Sequence, residues 1–372
     1  MINVSRLMTG KAGRNDHIRY PSSRQPAPKV MVFNITRNCN LHCTHCYSGS
    51  GHSVFTNLPA VKWISALKAA ADMGVEHLLI SGGEPLMSRD AMDIIREASE
   101  RGLKVTLSTN GTLLDAERVS RLKGLVEYIG ISIDGPEILH DRFRGVDGAF
   151  RRTLANARRC MAAGIRTGFR FTLTRMNSQY VDFALDLAER EHADRICFYH
   201  LGYVGRASAD LDIDSGERLG AMMKIMERAR ESAFEILTAD NSVDGILAYF
   251  LTGSQHVRSL LVRNGGNRSG ERIADIDPDG NVYPDQFTRF RLGGIDDLGS
   301  IWEGPSQQVL ELRDRRRIER CSRCPYFEMC NGNSRGRALA SSGDLWGFDP
   351  SCYLDMVEKH FEEHMPPDAV SA

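Results

Sequence analysis

The 372-residue chain carries 47 Lys and Arg against 48 Asp and Glu, a formal net charge of -1, with 42% hydrophobic and 26% charged residues. That balance offers neither the basic field of a nucleic-acid partner nor a polybasic membrane anchor, and it leaves apolar material for about two domains. No apolar run approaches the roughly 18 to 20 residues that cross a bilayer, and the opening MINVSRLMTGKAGRNDHIRY lacks a signal-peptide apolar region. Nine cysteines without an export signal then point to metal or redox chemistry in a cytoplasmic protein rather than to disulfides.

Residues 1–28, with scattered basic residues and Pro21, Pro26 and Pro28, read as an N-terminal arm. A strand and helix alternation follows over 29–205. Strands are expected at 30–35, 77–81, 104–108, 128–133, 167–174 and 195–200, with helices between them at 60–73, 91–101, 116–123, 150–163 and 180–190. Six such units favour a parallel sheet closing into a partial barrel, with chemistry at the C-terminal ends of the strands. Longer helices at 217–233 and 243–251 make 206–263 a helical connection. Residues 264–372 form a second, cofactor-bearing unit, with a hairpin over 272–284 turning at Asp279 and Gly280 and a helix near 301–313.

Cys39, Cys43 and Cys46 form a CxxxCxxC triplet just after the first expected strand. CxxC alone also serves as half a zinc site or as a redox dithiol, but only His52 follows closely enough to complete a tetrahedral set. Three thiolates suit a four-iron, four-sulfur (4Fe-4S) cluster with one iron open to an exogenous molecule. Further along, Ser81-Gly82-Gly83-Glu84-Pro85, Ser108-Thr109-Asn110-Gly111 and Ser132-Ile133-Asp134-Gly135 follow or end successive strands. Each is also ordinary turn chemistry; in this order, Gly-Gly permits close backbone approach, Glu84 offers a carboxylate to an ammonium group, and Ser108, Asn110 and Ser132 offer polar groups to a ribose. Near the C-terminus Cys321, Cys324, Cys330 and Cys352 form a quartet that suits zinc or a second cluster. Cys160 and Cys197 read as small buried hydrophobes.

Together these motifs resemble the radical S-adenosylmethionine (AdoMet) enzymes over residues 30–200. The resemblance implies an α/β fold with a partial (β/α)6 TIM-like barrel and AdoMet chelating the open iron. It also implies reductive cleavage to a 5′-deoxyadenosyl radical, with a reducing electron donor such as ferredoxin or flavodoxin. It assigns Gly82, Gly83 and Glu84 to the methionyl amine, His45 to the adenine, and Arg144 to the AdoMet carboxylate, a surface salt bridge being the alternative for Arg144. Ser108, Asn110, Ser132 and Asp134 complete that AdoMet set, and no side chain is assigned as an acid or base. The quartet resembles a SPASM or twitch-type extension, which implies an auxiliary 4Fe-4S cluster ligated entirely by protein. Asp285 and Ser334 stand where a full extension places ligands of a further cluster, so one auxiliary cluster is expected.

A narrower resemblance runs nearly end to end, through VSRLMTGKAG at the start, FYHLGYVGR at 198–206, NGGNRSG at 264–270, YPDQF at 283–287 and CNGN at 330–333. These segments look like the tetrapyrrole-modifying branch, which includes the didecarboxysiroheme deacetylase of the alternative heme pathway and the related enzyme of heme d1 biosynthesis. Thr288 departs from the aromatic residue that the branch tends to place there. The implied reaction removes acetate groups from an iron-tetrapyrrole, with His200, Tyr203, Arg206, Asn267, Arg268 and Asp285 around the substrate. His200 would ligate iron or serve as an ordinary hydrogen-bonding residue. The rivals are propionate removal in heme d1 biosynthesis, a SPASM peptide-modifying maturase, and a non-catalytic iron-sulfur electron carrier. The short, Pro-broken 1–28 segment weighs against a peptide-binding domain, and the Gly-Gly-Glu-Pro and Ser-Thr-Asn-Gly loops weigh against a carrier.

Overall fold

A computed structural model describes residues 1–11, 27–302 and 307–364. Its strands are β1 (Ile2–Asn3), β2 (Val30–Asn34), β3 (His77–Ser81), β4 (Lys104–Thr109), β5 (Tyr128–Ser132), β6 (Thr167–Leu173), β7 (Arg195–His200), β8 (Glu235–Ala239), β9 (Ile273–Ile276), β10 (Asn281–Tyr283) and β11 (Gly293–Gly294). They form one sheet in the order β1-β8-β7-β6-β5-β4-β3-β2-β9-β10-β11. From β2 to β8 every neighbouring pair is parallel. The six expected strands are all present, in sequence order, as the partial barrel.

Local sequence explains why these units fold. β2, VMVFN, is buried at every position, as a strand covered on both faces must be. Helix Ala60–Asp72 buries Trp63, Ala66, Leu67 and Ala70 at helical spacing, and the Trp63 ring meets Phe33 with centroids 5.2 Å apart. Cys160 and Cys197 are buried in these layers.

Three features escaped the periodicity. β8 adds a seventh parallel strand beyond β7, and β9 pairs in parallel with β2 at the opposite edge. The hairpin expected at 272–284 therefore extends the barrel sheet, with β10 antiparallel to β9. Within the segment read as an arm, Ile2–Asn3 pairs antiparallel with β8 and Val4–Met8 is helical with Val4 and Leu7 buried; residues 12–26 lie outside the described residues. Helix Glu137–Arg144 was missed because its buried face is His140, Asp141, Phe143 and Arg144, three of them polar, and an apolar stripe is what periodicity detects. Among the described residues no helix is long and apolar enough to cross a membrane.

Candidate active site

The cysteine loop leaves β2 and is held from three directions. Cys39 N–H donates to Gly51 O at 3.2 Å, while His42 and Thr44 N–H donate to Arg144 O and Phe143 O at 3.0 and 2.9 Å. From the loop after β7, Arg206 donates its Nε to Cys43 O at 2.8 Å, its Nη2 to Ser50 O at 2.7 Å and its backbone N–H to Cys46 O at 2.9 Å. Gly205 sits at φ +69°, and a Cβ there would overlap the carbonyl oxygens of Cys46 and Tyr47, so only glycine permits this approach. Burial pushes the Cys39 thiol up to about 12 and raises Cys43 as well. Iron must therefore displace protons that these sites hold firmly.

The Gly-Gly pair serves the same loop. A Cβ on Gly82 or Gly83 would overlap Thr36 O or Asn38 O, and Gly83 N–H donates to Thr36 O at 2.7 Å. Glu84 differs from the ammonium-binding role expected of it. Its carboxylate is fully buried away from the cavity wall, accepting from Leu86 N–H (3.1 Å), Asn110 N–H (2.8 Å) and Thr109 Oγ1 (2.8 Å). Glu84 thus ties the loop after β3 to the loop after β4, and burial raises it to about 7. Asp134 is also off the wall: fully buried, it pairs with Arg144, whose Nε lies 2.6 Å from Oδ2, while Arg144 Nη1 reaches Cys43 Sγ at 3.5 Å. This buried pair replaces the surface salt bridge that was the alternative for Arg144. The His45 ring lies against Phe143 at 4.4 Å, and burial lowers it to about 4, so it is neutral near pH 7.

One cavity of about 980 Å³, open at the barrel mouth, gathers most of the expected residues. Its wall contains Cys39, Cys43 and Cys46 with His45, Gly82, Gly83, Ser108, Asn110, Ser132 and Arg144. Tyr47, Arg170, Thr172, Tyr199, Gln286 and Phe287 also line it and were not anticipated. For Arg170 a signal existed in β6, where GFRFTLT alternates large apolar residues with Arg170 and Thr172. Among the described residues no Asp or Glu lines this cavity.

The six expected substrate residues are dispersed. His200 reaches the wall, but its Nδ1 accepts from Arg218 Nη1 at 2.7 Å and its Nε2 donates to Asp244 Oδ2 at 2.9 Å. Both ring nitrogens are engaged, so iron ligation gives way to the hydrogen-bonding role. Tyr203 donates its hydroxyl to Asp212 at 2.7 Å, and Arg206 is spent on the cysteine loop. Asn267, Arg268 and Asp285 line an adjoining chamber of about 840 Å³ that shares Gln286 and Phe287 with the first cavity. Within it Asp285 caps its own loop, accepting from Phe287 and Thr288 N–H at 2.7 Å each, and Arg268 pairs with Glu271 at 2.8 Å.

Cys321, Cys324, Cys330 and Cys352 line one further pocket of about 770 Å³, among Val243, Ile246, Phe327 and Leu354. Burial raises all four thiols, Cys352 to about 11. Ser334, the position without a cysteine, accepts from Arg337 N–H at 3.3 Å as the cap of helix Arg335–Ser342. Three cysteines thus line the barrel-mouth cavity and four line this second pocket.

Comparison with known proteins agrees. The Radical SAM superfamily model matches residues 33–188, and the SPASM iron-sulfur cluster-binding domain model matches 268–325. Fe-coproporphyrin III synthase of Methanosarcina barkeri is 36% identical, over 98% of this chain and 100% of that protein. Pre-heme d1 synthase of Dinoroseobacter shibae is also 36% identical, over 92% of this chain and 90% of its own. The fold matches native anSMEcpe with bound AdoMet at a TM-score of 0.69 and 17% identity, covering 92% of this chain and 99% of that one. The chain belongs to the radical SAM superfamily, in the SPASM-bearing branch of the two synthases. It is an enzyme whose cofactors are AdoMet, a 4Fe-4S cluster and an auxiliary cluster.

Proposed function

We propose that this enzyme removes acetate side chains from an iron-tetrapyrrole of the didecarboxysiroheme type, as in siroheme-dependent heme biosynthesis. One observation carries the reading: among the described residues, the wall of the cavity beside the cysteine triplet has two guanidinium groups, Arg144 and Arg170, and no carboxylate. That wall suits a large ligand rimmed with carboxylates. The similarity to Fe-coproporphyrin III synthase supports the same substrate class.

Cys39, Cys43 and Cys46 would hold the cluster, which together with AdoMet would supply radical chemistry. The chain's own residues would supply placement: the backbone of Gly82 and Gly83 for the methionyl end, His45 and Ser132 for the nucleoside, and Arg144, oriented by Asp134, for the carboxylate. Tyr47 is fixed by donating to Asn34 Oδ1 at 2.7 Å and accepting from Gln286 Nε2 at 3.0 Å. It thereby fixes Gln286 and Phe287 across the barrel mouth, where they exclude water from the reacting C–H bond. Cys321, Cys324, Cys330 and Cys352 hold the auxiliary cluster as an electron partner.

Anaerobic incubation of the reconstituted enzyme with AdoMet, dithionite and didecarboxysiroheme, followed by mass spectrometry, tests the reading. Loss of two acetate arms with 5′-deoxyadenosine is expected. An unchanged tetrapyrrole overturns it. Loss of propionate carbon moves the enzyme to heme d1 biosynthesis, a second reading favoured by its equal 36% identity to pre-heme d1 synthase.

A further inference from the structure

Two guanidinium groups face the main cavity, and their charges are handled differently. Arg144 is neutralised by Asp134. Arg170, in the middle of β6, has no ion pair among the described residues. Its Nη1 donates to Ser108 Oγ at 2.7 Å, and its guanidinium carbon lies 5.6 Å from the centre of the Tyr199 ring. Burial works to lower Arg170, but the electrostatic influence of Tyr199, Tyr128, Cys197 and Tyr47 around it outweighs that and holds it above its ordinary range, so it stays charged.

The chain also makes room for this side chain. Ser132 and Gly130 on β5 lie opposite Arg170 and Gly168 on β6. A Cβ at Gly130 would overlap Arg170 Nε and come within 3.0 Å of Cζ. Glycine at 130 leaves a slot in which the guanidinium lies against the β5 backbone. Phe169, Phe171 and Leu173, alternating with Arg170, are buried in the outer core, which fixes Arg170 on the inner face. Arg170 is half-buried on a cavity wall that, among the described residues, carries no Asp or Glu, so its charge is left to pair with an anionic group of a ligand.

We propose that Arg170 is the anchor for a carboxylate of the iron-tetrapyrrole substrate and selects which side chain is turned toward the cysteine triplet. This inference rests on the tetrapyrrole reading above. AdoMet also carries a carboxylate, but Arg144, beside Cys43 Sγ at 3.5 Å, stands at the triplet where that group would bind.

The test is a double comparison with the anaerobically reconstituted full-length enzyme. Binding of didecarboxysiroheme and of its fully methyl-esterified form is followed by the change in tetrapyrrole absorption, in the unaltered enzyme, Arg170→Met and Arg170→Lys. A charged hydrogen bond predicts an acid-over-ester preference of about 10- to 100-fold in the unaltered enzyme, lost in Arg170→Met and partly restored in Arg170→Lys. AdoMet affinity, from equilibrium dialysis, should change less than about twofold and shows that the variants are folded. An equal acid-over-ester preference in the unaltered enzyme and Arg170→Met overturns the anchor while leaving the substrate class standing. A loss of AdoMet affinity in Arg170→Met with tetrapyrrole preference intact assigns the group to AdoMet and also overturns it. If the unaltered enzyme binds neither tetrapyrrole, the substrate class itself fails and the anchor falls with it.

Discussion

The two cysteine sites use the same ligand chemistry in opposite surroundings. The triplet lies at the mouth of a cavity with Ser, Asn, Arg and Tyr on its walls, whereas the quartet lies in a pocket backed by Val243, Ile246, Phe327 and Leu354, with Arg320, Asp349, Asp355 and Glu358 also on its wall. One site is short of a ligand and surrounded by groups that can bind one; the other is complete in thiols and walled mainly by apolar side chains. Under the proposed function, ligand count would divide the work, with chemistry at the barrel mouth and electron exchange at the quartet.

The largest expected effect separates the two sites. Cys43→Ala should remove about half of the bound iron and abolish 5′-deoxyadenosine formation, whereas Cys330→Ser should remove a similar share of iron but leave AdoMet cleavage measurable. Iron analysis and product chromatography read both, and equal loss of AdoMet cleavage in the two variants would break the division. A medium effect concerns Asp275, on β9 beside β2, which burial raises from 3.8 to about 8. Between those values the folded state holds a proton that the unfolded state has released, so stability falls as pH rises through that window. Asp275→Asn keeps an acceptor for Asn34 Nδ2, now at 2.6 Å, and should flatten the fall, with a gain of about 1–3 kcal/mol at pH 8; thermal melts from pH 5 to 8 check it. The smallest effect sharpens the quartet's boundary. Ser334→Ala should cost about 1 kcal/mol of stability as a lost helix cap while leaving iron content unchanged, since Ser334 stands in place of a ligand.

Legibility differed by the kind of signal. The barrel strands were readable because each is a short apolar run between turn residues, and the cysteine groups stood out by their spacing, with Cys352 set far apart from the rest. Glu84 and Asp134 lie in the motifs, yet their contacts are with partners 25 and 10 positions away, Thr109 and Arg144, and no spacing rule discloses that neither lines the cavity. His200 shows the same limit: Asp244 and Arg218, which occupy its ring nitrogens, come from the helical connection. Asn267, Arg268 and Asp285 share a chamber as expected, but one behind Gln286 and Phe287. Arg170 was missed because a charged residue in a strand reads as solvent-facing until the strand is known to be covered on both sides.

The clamp on the cysteine loop has a consequence for the order of assembly. Cys43 O and Cys46 O are held by Arg206, 163 positions beyond Cys43 and after the sixth barrel strand, and Gly205 must lie flat on the carbonyls of Cys46 and Tyr47. The first loop of the barrel is thus shaped by the loop after β7, and a nascent chain that has not yet docked β7 presents three thiols without their final spacing. Iron loading at the triplet is then expected to follow the docking of β7.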